Sequence, residues 1–273
     1  MGIITAAVMK LVPKPRAHAT ATLAARSLPD ALILLNRLQE ASGGSVEAFE
    51  FMPRTYMNRL GVVRPDLGQP FADIHDVTIL VELAATAPRD ATPAPDGSLP
   101  LMTLLEDTLA RMMDEGMVLD AVLAQTEAQR RVMWARREAA AELTHGLRPA
   151  LDTDVAVPLT AVDAFMTRVL AMLPDIDPGV QTLTVAHLGD GNLHFTVFPT
   201  RDDPALSDTI MTAVEDVVAD LGGSFSAEHG VGLSKQSSMA RRKDPVALDV
   251  MHALKSALDP TGLLNPGKIL PPK

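Results

Sequence analysis

Two histidines flank a glycine-rich turn in residues 186–198, AHLGDGNLHFTVF. Gly189, Asp190, Gly191 and Asn192 are residue types that reach positive φ at low cost, so GDGN between two apolar runs predicts a β-hairpin. With those four residues as the loop, Leu188 pairs with Leu193 and His187 with His194. Directly opposed residues share a sheet face with Cβ atoms about 5 Å apart, so the two imidazoles converge as ligands for one cation. SFSAEHGVG at 224–232 offers a third ligand in Glu228, with His229 beside it. Neighbours on an extended chain point to opposite sides. Gly230 and Gly232 nevertheless let the backbone bend, so that both heads can border one cavity. The bland alternative is a pair of half-buried histidines bonded to backbone.

The elements that would position these groups can be read from patterning. Residues 3–12, IITAAVMKLV, read as a strand, and HATATLAA (18–25) as another. Ser27 caps a helix over 29–41, and strands follow at 45–52 and, after a long polar connection, at 76–84. A loop at 92–98 leads to a helix over 100–115 and a strand at 118–124. The order is β-α-β-β-α-β. After a linking helix over 126–143 the same order returns: a strand at 154–158, a helix over 159–173, the two hairpin strands, a helix over 203–221 and a strand at 223–228. Two such units predict an α+β fold made of duplicated ferredoxin-like halves, with one largely antiparallel sheet covered by helices on one face. An amphipathic helix over 245–259 and an irregular apolar arm, TGLLNPGKILPPK, close the sequence.

Composition narrows the chemistry. At 273 residues and 47% hydrophobic content the chain supports one large or two small cores, and no apolar run approaches the roughly 20 residues of a membrane span. The apolar opening lacks a cleavage site and is not read as a signal peptide. Cysteine is absent, which leaves histidine and carboxylate as metal ligands and fits a cytoplasmic protein. A net charge of -10 argues against nucleic-acid binding.

HLGDGNLH, then EHGVG, then LDPTGLLNPGKIL resemble, in that order, the C-terminal substrate domain of FAD-linked oxidases of the vanillyl-alcohol-oxidase type, the family of D-lactate and D-2-hydroxyglutarate dehydrogenases and glycolate oxidase flavin subunits. The resemblance runs over essentially the whole chain. It implies that His187, His194 and Glu228 hold a divalent metal, zinc or manganese, and that His229 faces the substrate as the base. It also implies that Arg137, in Trp-Ala-Arg-Arg-Glu, grips the substrate carboxylate. A helix carrying Arg130, Arg131, Arg136 and Arg137 would, in the bland reading, only show a solvated face. Residues 1–16 correspond to the last strand of an FAD-binding domain, with Ile3 and Ile4 against the flavin. Residues 17–243 form the substrate and metal domain, and 244–273 an arm that returns Asn265 to the cofactor. No Gly-rich pyrophosphate loop occurs, so FAD would need a separate domain or subunit, and this chain alone would be inactive. Dimerisation and the electron acceptor stay open.

Three positions depart from the 2-hydroxyglutarate pattern: Ala141 replaces a threonine, Asp152 a lysine and Thr196 an asparagine. Asp152 would repel a second carboxylate, so the expected substrate is a monocarboxylic D-2-hydroxy acid such as D-lactate or glycolate. Two other readings are a mononuclear zinc hydrolase, since two histidines and a glutamate also describe hydrolytic sites, and a noncatalytic subunit of a flavoprotein complex.

Overall fold

A computed structural model of the chain describes residues 4–272. Seven strands, β1 (Ala17–Ala25), β2 (Val46–Pro53), β3 (Val77–Ala85), β4 (Val118–Leu123), β5 (Leu151–Ala156), β6 (Gln181–His187) and β7 (Asn192–Phe198), form one sheet in the order β4-β1-β3-β2-β6-β7-β5. Every adjacent pair is antiparallel. The first four strands take the 4-1-3-2 order of a ferredoxin-like unit. The second unit repeats that order from the opposite end. Its fourth member, the segment expected as a strand at 223–228, is reduced to two isolated bridges, Asp154↔Ser226 and Ala156↔Ser224. A full ladder does not form there because the backbone N–H groups of Glu228 and His229 turn to the Asp154 carboxylate instead. The halves join at β2 and β6 through Glu50↔His187 and Phe51↔Ala186.

Alternation sorts side chains to two faces. On one, Ala21, Leu23, Phe51, Ile79, Val81, Phe195 and Val197 pack under α1 (Leu28–Ser42), α4 (Pro100–Asp114), α7 (Val162–Ile176) and α8 (Pro204–Asp220). Phe165 of α7 meets Phe195 edge to face at 5.8 Å. The opposite face is also covered in part, which corrects the expectation of helices on one side only. There Met52, Leu80, Leu183 and Val185 pack beneath α2 (Arg54–Val63), α5 (Glu127–Glu138) and α6 (Ala140–Thr144). The region read as a polar connection holds α2, whose Tyr56, Met57 and Leu60 are buried. Most of the linking helix is α5, begun by a Thr126–Gln129 capping box and interrupted at Ala139. The short helix α3 (Pro88–Ala91) sits ahead of the predicted loop, and α9 (Gln236–Arg242) follows the Glu228-His229 segment.

Two other expectations change. Residues 4–15 form no strand, since an isolated strand has no ladder to complete it; Ile3 lies outside the described residues. The hairpin closes one residue earlier on both sides, so His187 faces Asn192, and Val185 faces His194. A shift of two along the ladder preserves the face. The histidines therefore sit diagonally on the same surface, not directly opposed.

Gly191 fixes that turn. It has φ +79°, and a Cβ there would lie 2.2 Å from the Val157 carbonyl oxygen, while its own carbonyl accepts from Val157 N–H at 3.1 Å. Gly191→Ala is expected to cost about 1–3 kcal/mol from the left-handed backbone, with more from that contact, measured as a lower urea midpoint. An unchanged midpoint would show that the turn relaxes freely.

Candidate functional site

The uncovered part of the second face carries the predicted cluster. The seam between repeats sets Glu50 opposite His187, and β5–β7 pairing sets Asp154 opposite His194. The bent segment after α8 lays Glu228 and His229 across them. Glu228 Oε1 lies 3.3 Å from His194 Nε2, 3.7 Å from His229 Nε2 and 4.0 Å from His187 Nε2. The His187 and His194 ring centroids are 5.3 Å apart, and His229 stacks on His194 at 5.1 Å. The structure thus brings together all four residues singled out by the turn and the Glu-His pair.

His187 Nδ1 lies 3.0 Å from Glu50 Oε1. A carboxylate accepts only, so Nδ1 carries the proton and Nε2 presents a lone pair toward Glu228. The hydrogen bond to Glu50 raises the His187 pKa against the effect of burial. His194 moves the other way, lowered first by burial and next by the neighbouring His187 charge. Burial pushes Glu50 up, yet the His187 hydrogen bond and the Arg137 charge outweigh it and hold the carboxyl below its usual range. Ligands around a zinc ion at about 2.0–2.2 Å stand about 3.5 Å from one another in a tetrahedron. The separations of Glu228 from His187 and His194 therefore fit a cation with small side-chain movement. The donor set, two imidazoles and a carboxylate, has the same chemistry. Among the described residues the ligand atoms that all lie within 4.8 Å of one another are those of Asp154, His194, Glu228 and His229, without His187; one Asp154 oxygen of that group is already taken by three donors.

Arg137 does not wave in solvent. Its Nε donates to Glu50 Oε2 at 2.6 Å, and its Nη2 lies 3.3 Å from His187 Nε2. Tyr56 donates to the Arg136 and Arg137 carbonyls, pinning the end of α5. Arg130 reaches Glu82, and Arg136 the Leu67 carbonyl, so three of the four arginines read as a solvated face point inward. Arg137, His194 and His229 line a cleft of about 460 Å³ whose remaining walls include Ala141, Asp152, Leu183, Val185 and Thr196. All three positions that depart from the 2-hydroxyglutarate pattern are in that wall. Thr196 donates to Asp152 at 2.9 Å. Asn265 is elsewhere: exposed at φ +47°, it lines a smaller cleft of about 190 Å³ with His252 and Lys255. Ile4 is exposed.

Glu50, Asp154 and Lys235 were not singled out by sequence reasoning. The available signal was a carboxylate flanked by apolar residues within a strand, Glu50 between Phe49 and Phe51 and Asp154 before Val155, because such a group is buried only with partners.

The chain belongs to the FAD linked oxidases, C-terminal domain family, whose sequence model matches residues 14–269. Among its curated relatives is D-2-hydroxyglutarate dehydrogenase from Xanthomonas citri pv. viticola, 31% identical over 98% of this chain and 55% of the relative. The mitochondrial D-2-hydroxyglutarate dehydrogenase from Rattus norvegicus is 30% identical over 99% of this chain and 48% of its own length. The chain thus spans about half the length of these relatives. In fold it is similar to p-cresol methylhydroxylase with substrate bound, at TM-score 0.59 and 12% identity, over 95% of this chain and 54% of that one. Among the described residues no helix is long and apolar enough to cross a membrane.

Proposed function

We propose that this chain is the substrate- and metal-binding half of a flavin-dependent dehydrogenase that oxidises a D-2-hydroxy acid to the 2-oxo acid. The single observation that carries this reading is the convergence of His187, His194 and Glu228, with His229 at the mouth of the Arg137-lined cleft. Family membership, and relatives named D-2-hydroxyglutarate dehydrogenase, support the reaction class.

His187, His194 and Glu228 would hold a zinc or manganese ion. When bound, that cation supplies a Lewis acid for the substrate's hydroxyl oxygen, and FAD supplies the acceptor for the hydride leaving C2. His229 accepts the hydroxyl proton on Nε2. Arg137 presents its guanidinium to the substrate carboxylate from the α5 side, while Glu50 keeps it aimed. Leu183 and Val185 keep water from the cleft floor.

The flavin would lie on a domain outside this chain's 17–243 unit. Exposed apolar side chains support a docking surface for it: Val8, Leu11 and Val12 near one terminus, and Val246, Val250, Leu254 and Leu258 along α10 (Pro245–Leu258) near the other. Spacing of four places the α10 residues on one stripe, of the kind that marks an interaction site. Ile4 and Asn265 are reached from that side in this reading, and residues 244–273 serve as the returning arm.

The substrate is a monocarboxylate. A second carboxylate at the far end of the cleft would face Asp152, at about 1 kcal/mol or more of repulsion, with no lysine to receive it. Joining the chain to a flavin-binding domain and assaying with an artificial electron acceptor tests both parts. Oxidation of D-lactate with higher kcat/KM than D-2-hydroxyglutarate, abolished by a chelator and restored by zinc or manganese, is the expected result. The reverse preference overturns the substrate, chelator-insensitive turnover overturns the metal, and no 2-hydroxy-acid oxidation overturns the reaction.

A further inference from the structure

Asp154 is almost completely buried, at 1% exposure, yet faces an open site. Its Oδ2 accepts three hydrogen bonds, from the backbone N–H of Glu228 at 3.0 Å, the backbone N–H of His229 at 2.7 Å and the Lys235 ammonium at 3.2 Å. Lys235 is itself only 9% exposed and also donates to Ser226 Oγ at 2.8 Å. Ser226 in turn donates to the Gly230 carbonyl, which ties down the far side of the same turn. One carboxylate oxygen therefore fixes the backbone of two site residues at once.

The other oxygen is unusual. Among the described residues Asp154 Oδ1 is buried without a hydrogen-bond partner, and it lies 3.9 Å from His194 Nδ1. Buried carboxylate oxygens are rarely left unmade, because the desolvation cost is not recovered. On the other candidate histidine, His187, a carboxylate already occupies the equivalent place: Glu50 sits at 3.0 Å from Nδ1. The two imidazoles thus each have a buried carboxylate behind them, one closed and one a little under an ångström too long.

We propose that Asp154 is the positioning residue of this site: it holds Glu228 and His229 in place through their N–H groups and, through its free oxygen, keeps the His194 proton on Nδ1 so that Nε2 is the bare, cation-facing nitrogen. The inference rests on the metal-site reading above for its purpose, but not for its test. Closing the gap from 3.9 Å takes a small rotation of the His194 ring, which gives the orphaned oxygen its partner in the metal-free chain and leaves Nε2 facing Glu228. Lys235 supplies the counter-charge that makes burial of the carboxylate affordable while leaving Oδ1 free.

Asp154→Asn separates this role from a merely structural one. An asparagine that keeps its carbonyl toward the three donors must aim its NH2 at His194 Nδ1. Donation from that NH2 requires a bare Nδ1, which places the proton on Nε2 and closes it as a ligand. Nitrogen-15 NMR of the histidine rings in the metal-free chain reads the tautomer directly. The expected result is an Nδ1–H tautomer of His194 in the wild type, an Nε2–H tautomer in Asp154→Asn, and a zinc dissociation constant raised about 10- to 100-fold in the variant, the range for loss of a carboxylate behind a ligand histidine. An unchanged tautomer overturns the proposal. Zinc affinity lost with no change of tautomer does so too, and makes Asp154 a direct ligand. If the wild type binds no zinc, the metal reading falls while the NMR result still decides what Asp154 does to His194. Lys235→Met gives a second arm should Asp154→Asn not fold: hydrogen exchange at the Glu228 and His229 amides is expected to speed up about tenfold or more while the sheet amides hold, and unchanged exchange there overturns the anchoring half.

Discussion

In the chain completed by a flavin-binding domain, His229→Ala is expected to lower kcat about 10²–10⁴-fold, the usual span for loss of a positioned general base, with a much smaller change in zinc affinity. The argument is geometric. His229 stacks on His194 with the rings only 14° from parallel, which holds its plane but leaves the ring edge in the cleft. Among the described residues it has no carboxylate hydrogen-bonded behind it, whereas His187 has Glu50. The group with an orienting carboxylate is suited to hold a cation, and the exposed group on the cleft side is suited to move a proton. Steady-state kinetics alongside zinc titration distinguishes the two. If His229→Ala weakens zinc as steeply as His187→Ala does, His229 belongs to the ligand set and the base must be sought elsewhere.

The convergence of these side chains was partly legible in the sequence. Gly-Asp-Gly-Asn between apolar runs is a local signal, and the hairpin formed where local rules place it. Its register was off by two because the turn begins at Leu188, with the Asp190 and Gly191 N–H groups donating to the His187 carbonyl. The face survived the error because strand periodicity is two. The repeat of β-α-β-β-α-β was also readable, being a matter of element order. What could not be read was pairing across the seam. Glu50 and His187 are 137 residues apart, and no local pattern says that β2 and β6 are neighbours. Arg137's aim depends on that same pairing, and on Tyr56 from a helix hidden by its polar residues and by a flanking Pro53. The strand at 223–228 failed for a related reason: its pairing cannot run on past Ala227, because the Asp154 carboxylate takes the N–H of Glu228, the last residue of the segment, and of His229 just after it.

Arg130→Met is expected to destabilise the fold by about 3–5 kcal/mol near pH 7, the cost of leaving a buried carboxylate without its cation. Glu82 sits in the middle of β3, an otherwise apolar strand, and is 4% exposed. It accepts from Arg130 Nε at 2.7 Å and Nη2 at 2.6 Å, from Thr20 at 2.6 Å and from Trp134 Nε1 at 3.0 Å. Burial pushes its pKa up, but these donors, Arg130 first among them, hold it below the usual range. In the wild type, then, Glu82 contributes stability that is present above the unfolded carboxyl value and lost as pH falls through the lower folded one. Without Arg130 the sign reverses. Thr20 and Trp134 remain as neutral donors, with the His18 ring 3.4 Å away, against burial; the folded pKa rises above the unfolded value, and protonation relieves the variant as pH falls. Urea unfolding at pH 7 and again near pH 5 should therefore show the gap between Arg130→Met and wild type narrowing on the acid side. Adding Glu82→Gln to Arg130→Met should recover much of the loss at pH 7, because the charge that needed Arg130 is gone. A gap that is the same at both pH values, or a double variant no better than the single one, would mean that Arg130 acts by packing α5 against the sheet, with the ion pair incidental.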